Sequence, residues 1–290
     1  MLLIAGLAVV LLSVAGGFLM EGGDLLLLNQ PAEFIIIGGA AVGALLVGTP
    51  LSVIKQTVAQ CKRLMTPSPS RQDFGELLQM LYQLFRVIQQ TGVMALESHF
   101  EDPKNSPILS RYPKVLARHA AITFLSDSVK VVIVGGIAPH DFDHLMGEDL
   151  DVLHREAMHP SGTLAKVGDA LPGLGIVAAV LGVVLTMQSI DGPAAEIGEK
   201  VGAALVGTFL GILLSYGFVQ PISASLEHRV NEEAQFEACM KAGMLAVYKG
   251  FPPAIAIEFA RRVIPEEIRP SFEETEALCR STRSVDSQAA

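Results

Sequence analysis

Eight His and Asp side chains between residues 140 and 159 could ligate a metal: His140, Asp141, Asp143, His144, Asp149, Asp151, His154 and His159. His140 and His144 stand four apart, which puts two imidazoles on one helical face, a spacing metal ligands use. The same stretch carries Phe142, Leu145, Met146, Leu150 and Leu153 at helical intervals. That is also the pattern of an amphipathic helix with acids and histidines on its wet face. No Cys-x-x-Cys, no His-Glu-x-x-His and no second ligand cluster accompanies it. No metal and no other cofactor is therefore expected, and a membrane-associated metal enzyme is the weakest alternative. Gly-x-Ser-x-Gly, a phosphate loop ending in Gly-Lys-Ser/Thr and the dinucleotide fingerprint are missing too, so no enzyme is expected.

The other residues suited to chemistry lie in apolar surroundings. Asp169 precedes Pro172 by three residues, and the hydroxyls of Thr186, Ser189, Thr208 and Ser215 follow in two apolar runs. Pro172 removes a backbone hydrogen bond and predicts a kink one turn into its run, and Pro221 is expected to end the next one. The plain alternative for each hydroxyl is a bond to its own i−4 carbonyl.

Four long apolar runs must position these groups. Half of the 290 residues are hydrophobic and only 18% are charged, which is too apolar for an ordinary soluble domain. Residues 1–20, 34–54, 170–190 and 201–226 carry no charge, and a bilayer core asks for roughly 20 helical residues. The fold expected is all-α, an integral membrane protein with four transmembrane helices and a helical cytoplasmic domain. The first run lacks a basic n-region, since no Lys or Arg precedes Lys55, so it is expected to be a span and not a cleaved signal.

Basic residues give the orientation, because they stay inside. The connector 21–33 has three acids, Glu21, Asp24 and Glu33, and no base, whereas residues 55–166 and 227–290 hold 20 of the 21 Lys and Arg. Both termini and the long central region are expected in the cytoplasm. Cys61, Cys239 and Cys279 then face the reducing side, as free thiols. The net charge of −9 contains no basic block, which argues against a nucleic-acid partner.

Within the central region a Pro/Ser linker, 66–70, precedes an amphipathic helix over 74–96, and an apolar-rich helix is predicted over 117–134 to pack against it. Small residues recur every four positions in the fourth run, at Ala203, Gly207, Gly211 and Ser215. The third run pairs Gly175 with Ala179 and Ala178 with Gly182. Such stripes let helices approach closely in lipid, and they fit either a neighbour in the same chain or a partner's helix. No Asp, Glu, His, Lys or Arg falls inside the four runs, although proton and cation pathways usually need an ionisable group in the membrane. A carrier carboxylate would then come from another subunit.

The segments Val167-Gly-Asp-Ala-Leu-Pro-Gly-Leu-Gly-Ile-Val-Ala-Ala-Val180 and Val206-Gly-Thr-Phe-Leu-Gly-Ile-Leu-Leu-Ser-Tyr-Gly217, with Pro221, closely resemble the last two spans of the MotA family of flagellar motor stator proteins. Gln30-Pro-Ala-Glu33, Gly92, Leu96-Glu97 and Pro252-Pro-Ala-Ile-Ala-Ile-Glu-Phe259 are similar too, and the likeness runs to about Phe272. The last ~18 residues look like a disordered tail on composition.

The resemblance implies a multi-pass protein of the bacterial inner membrane that forms a homopentameric ring around a MotB-like, single-span, peptidoglycan-binding partner. An Asp of that partner would carry the ion beside Pro172, with Asp169, Ala179, Thr186, Thr208 and Pro221 along the pathway. The central region would drive a rotor switch-complex protein through charged contacts. Glu97 matches the family's acidic contact residue. Its basic partner is replaced by Gln89, for which Arg86, one turn earlier, is the substitute. Ala179 stands where sodium-driven relatives have Thr and offers no oxygen, so protons are the coupling ion expected. An energiser of envelope transport like ExbB/TolQ and a non-conducting membrane scaffold are the alternatives; the first has fewer spans than this chain.

Overall fold

The computed structural model describes residues 2–188 and 190–286, and all of its regular elements are helices. In chain order they are α1 (Leu2–Met20), α2 (Pro31–Gly48), α3 (Leu51–Arg63), α4 (Arg71–Thr91), α5 (Glu97–Glu101), α6 (Pro113–Leu116) and α7 (His119–Val134). There follow α8 (Pro139–Met187), α9 (Ala194–Ile212), a π-helical segment (Leu213–Val219), α10 (Gln220–Tyr248), α11 (Pro253–Val263) and α12 (Phe272–Asp286). Among the described residues, four helical stretches are long and apolar enough to cross a membrane, in Leu2–Met20, Leu25–Gly48, Pro139–Met187 and Ala194–Tyr248. Two compact units result, Met1–Thr66 with Ala157–Arg229 and Pro67–Glu156 with Val230–Ala290, and α8 and α10 contribute to both.

In the first unit the helix starts and stops depart from the apolar runs. A 3₁₀ turn, Leu25–Leu28, is capped by Asp24 Oδ1, which accepts from the Leu26 amide at 2.9 Å. Pro31 then opens α2, where a missing N–H costs nothing and the fixed φ suits a first turn. The second run was expected to span 34–54, but Thr49 turns extended and Pro50 precedes a separate helix, α3. Ile37 and Ala41 of α2, Leu171 and Ala178 of α8, and Val206 and Leu210 of α9 form its buried core.

Neither inner proline of α8 breaks it: Pro160 and Pro172 lie inside one 49-residue helix. Pro221, expected to end its run, does not end the helical stretch Ala194–Tyr248 either. It sits at the second position of α10, directly after the π-helical segment. A proline ring collides with the carbonyl four residues back in a regular helix, and the wider π turn relieves that collision.

The second unit is built on α4. Ser70 and Asp73 close a capping box: Ser70 Oγ accepts from the Asp73 amide, and Asp73 Oδ2 accepts from the Ser70 amide at 2.8 Å. Phe74, Leu77, Leu78, Leu81, Leu84 and Phe85 then face inward at three and four spacing, fully buried. The helix stops at Gly92, whose φ of +90° needs a residue without Cβ; Val93–Leu96 continue as a 3₁₀ turn, so the helix predicted over 74–96 is shorter at its C-terminus and starts earlier.

Up to residue 286 the chain differs from the disordered tail that composition suggested for its last ~18 residues. Phe272–Asp286 is a helix, started by a second capping box in which Ser271 Oγ accepts from the Glu274 amide and Glu274 Oε2 from the Ser271 amide. Thr275 and Cys279 are buried, Gln79 donates to the Leu278 carbonyl at 3.2 Å, and Arg71 pairs with Glu274. Three contact positions on one face order this polar segment, a packing that average composition does not register. The final four residues, 287–290, and Ser189 lie outside the described residues.

Most of the histidine and aspartate cluster at the start of α8 is a wet face, the half-buried His154 excepted. Phe142 and Met146 are buried, while His140 and His144 point outward and pair with Asp141 and Glu148 at 3.3 and 3.9 Å. Asp143 is bridged to Lys241 at 2.8 Å. Among the described residues no group of three His, Cys, Asp or Glu side chains is placed to share a metal ion.

Candidate functional site

The small residues of the third and fourth runs meet each other. A Cβ placed on Gly175 would stand 2.8 Å from the Gly207 carbonyl and 3.0 Å from Gly211 Cα, and one on Gly211 would be 2.6 Å from the Leu171 carbonyl. One on Gly182 would be 2.6 Å from Ala204 Cβ. Backbone thus lies against backbone along an α8–α9 seam of Leu171, Gly175, Ala178 and Gly182 facing Ala204, Gly207 and Gly211. Of the two uses open to the stripes, the seam is within one chain. Its upper member is Ala204; the predicted Ala203 is half-buried.

Pro172 sits half-buried at one end of this seam. The amide that would satisfy the Gly168 carbonyl belongs to residue 172, and proline has none. Ser215 supplies the donor: its Oγ, fully buried, gives a hydrogen bond to the Gly168 carbonyl at 2.7 Å. The expected i−4 bond of Ser215 is therefore replaced by one between helices. Thr186 does follow the local pattern, donating to the Gly182 carbonyl at 2.9 Å. A second cross-helix pair follows about two turns on, where Ser223 Oγ donates to the Ser161 carbonyl at 2.7 Å.

Asp169 is exposed, and Gln220 Nε2 donates to its Oδ1 at 2.6 Å. Gln220 was not singled out in the sequence; its position before Pro221 was the only signal, and it is a weak one. Ala179 and Thr208 lie half-buried, each next to a seam residue, Ala178 and Gly207. Pro221 is exposed. Ile176, Val177, Val180, Leu181 and Val184 of α8 expose apolar side chains away from the seam, a face suited to lipid or to another helix.

Glu33 revises the reading that the spans hold no ionisable group. It belongs to the first turn of α2, inside the apolar stretch Leu25–Gly48, and it is only 7% exposed. Counting from the first long apolar residue, Phe34, assigned it to the connector. Pro31, a helix-opening residue, is the signal that would have included it.

The residues read as rotor contacts are on the second unit. Gln89 and Glu97 are exposed, at the end of α4 and the start of α5, and Arg86 is half-buried on α4. This leaves Glu97 and Gln89 open to a partner surface.

Comparison with known proteins agrees with these elements. Residues 4–92 match the motility protein A N-terminal model and residues 117–237 the MotA/TolQ/ExbB proton channel family. Motility protein A of Salmonella typhimurium is 40% identical over 289 residues, covering 99% of this chain and 98% of that protein. Chemotaxis protein LafT of Vibrio parahaemolyticus is 36% identical over 272 residues, covering 93% and 95%. In fold, the chain is similar to the C. jejuni MotAB structure, with a TM-score of 0.75 at 19% identity over 93% of this chain and 98% of that one. The MotAB stator complex of Bacillus subtilis gives 0.74 at 21% identity, covering 92% and 96%. From its spans, its seam and this near full-length likeness, the chain belongs to the motility protein A family.

Proposed function

We propose that this chain is a flagellar motor stator subunit of the bacterial inner membrane. With a MotB-like, single-span, peptidoglycan-binding partner it forms a proton channel, and it turns proton-motive force into torque on the rotor switch complex. The observation that carries this is the α8–α9 seam, held at Pro172 by the Ser215 hydroxyl, with no charged side chain in residues 170–187 or 201–219. Such a wall suits a carboxylate brought by a partner helix, because protonation of that carboxylate changes what it can pack against. Five copies would surround the partner, and both termini would be cytoplasmic, in keeping with the basic residues of 55–166 and 227–290. Ala179 offers no side-chain oxygen, which favours protons over sodium.

On the second unit, Glu97, Gln89 and Arg86 would meet the rotor. An ExbB/TolQ-like role fits the seam equally but leaves α1 and α2 without a purpose. Deleting the gene tests the reading. Flagellated but paralysed cells, restored by the intact gene, are expected; normal swimming in a cell with no second stator system removes it. Swimming measured against sodium at fixed proton-motive force tests the ion: dependence on sodium in the wild type overturns the proton assignment.

A further inference from the structure

Glu33 has no hydrogen-bond partner for its buried Oε2. That atom lies in the space Gly207 leaves open on α9, where a Cβ would stand 2.5 Å from it and 3.1 Å from Ala178 Cβ of α8. The carboxyl is thus pressed into the seam. A carboxylate without a donor is expensive in such a place, and the neutral acid far less so. No charge on the surrounding elements offsets this. The rest of α2 and all of α1 lack titratable groups, Leu25–Leu28 has only its cap Asp24, and α8 has none between Ala170 and Met187. On α9, Glu196, Glu199 and Lys200 fall in the first two turns, Lys200 bridging Glu196 at 2.9 Å, and residues 201–212 have none. Packing alone would be served better by an apolar side chain of similar volume.

We infer that Glu33 is a proton-transfer residue of the outward half of the pathway. The inference rests on the proton-channel reading above. The α2 end that holds Glu33 adjoins the base-free acidic connector, which faces outward. The Glu33 carboxylate takes a proton from a hydronium ion arriving on that side, leaving water. The neutral acid lies in the Gly207 groove, and it then gives the proton to the partner helix's carboxylate, returning to its charged form. Gly207 provides room for both states.

The test uses a strain lacking its own motility protein A, carrying the partner subunit and this chain as wild type, Glu33→Gln or Glu33→Asp. Membrane content is matched by immunoblot, and folding is matched by the protection of buried Cys239 from a maleimide. Swimming speed at low load is read against external pH at constant proton-motive force. Expected are a titration step in the wild type, a several-fold lower speed without that step for Gln, and recovery of speed with a displaced step for Asp. A Gln variant with wild-type speed and profile overturns the inference, as does one that is slower with an unchanged profile, which is the signature of a packing role. Loss in Gln without recovery in Asp overturns it too, since a retained carboxyl should retain transfer. Failure of the wild type to restore swimming is different: it removes the stator reading itself.

Discussion

Replacing Ser215 by Ala should cost far more when residue 172 is proline than when it is not. In the native chain the Gly168 carbonyl has lost its helical amide to Pro172 and accepts from Ser215 Oγ at 2.7 Å, at a fully buried position. Ser215→Ala leaves that carbonyl without either donor, a loss of about 1–3 kcal/mol. Pro172→Ala returns an amide at the position α-helical geometry requires, so the hydroxyl becomes redundant and its removal should cost only a few tenths of a kcal/mol, the limit of additivity. The coupling expected is therefore about 1–2 kcal/mol. Since the chain has no Trp, unfolding of the purified full-length protein in detergent is best followed by far-ultraviolet circular dichroism during titration with SDS. Equal costs of Ser215→Ala in the two backgrounds would refute the idea that the hydroxyl stands in for the missing amide.

Three further outcomes follow from the geometry. Gly175→Ala should strain the seam by about 1–3 kcal/mol, because its Cβ would meet backbone atoms at 2.8 and 3.0 Å, whereas Gly198→Ala, with open space around it, should gain from helix propensity; both are read in the same titration. Glu237, on α10 beyond the apolar run that ends at Leu226, is pushed from its ordinary 4.5 to about 7 by burial, with the charges of Glu233 and Asp149 adding to this and Arg118 opposing it. The folded chain thus holds this proton more tightly than the unfolded one. Relative to acid conditions its contribution to stability falls as pH rises from 4.5 to about 7 and is then constant, by about 3 kcal/mol at most. Glu237→Gln should flatten that slope, monitored through the labelling of Cys239 and Cys279, both buried in the second unit; an unchanged slope would sink the assignment. Finally, Ala179→Thr alone should not make swimming depend on sodium, because one hydroxyl does not supply the several oxygen ligands that sodium requires; a sodium-dependent variant would contradict this.

Much of the membrane part was legible because its physics is one-dimensional. Span length is a count of apolar residues, and Gly207, Gly211 and Ser215 at intervals of four show their common face in the sequence alone. What those residues touch was not legible, since a stripe of small residues has the same pattern whichever helix it meets. The Ser215 bond needed two facts together, an acceptor freed four residues before Pro172 and a donor 47 positions away in the chain. Glu33 was misplaced by a boundary rule that began the span at Phe34, although Pro31 had already opened the helix. The α12 helix was hidden for a different reason: Thr275, Leu278 and Cys279 are too few to raise average hydrophobicity, yet they are spaced to cover one side of α4. In the second unit the reverse held. Phe74 to Phe85 announced their buried side by periodicity, and the wet side of the histidines after Pro139 followed from Phe142 and Met146.

The π-helical segment Leu213–Val219 also acts as a phase corrector between two gear trains. In a regular helix Gln220, five residues after Ser215, would point about 140° away from it. The extra slack of the wide turns brings Gln220 back around, so Ser215 and Gln220 both engage α8, at Gly168 and Asp169. A tight row of glycines before the π-helical turns and a polar row after them can then both face α8. The π-helical turns are therefore what allows both rows to be satisfied by one helix, α8.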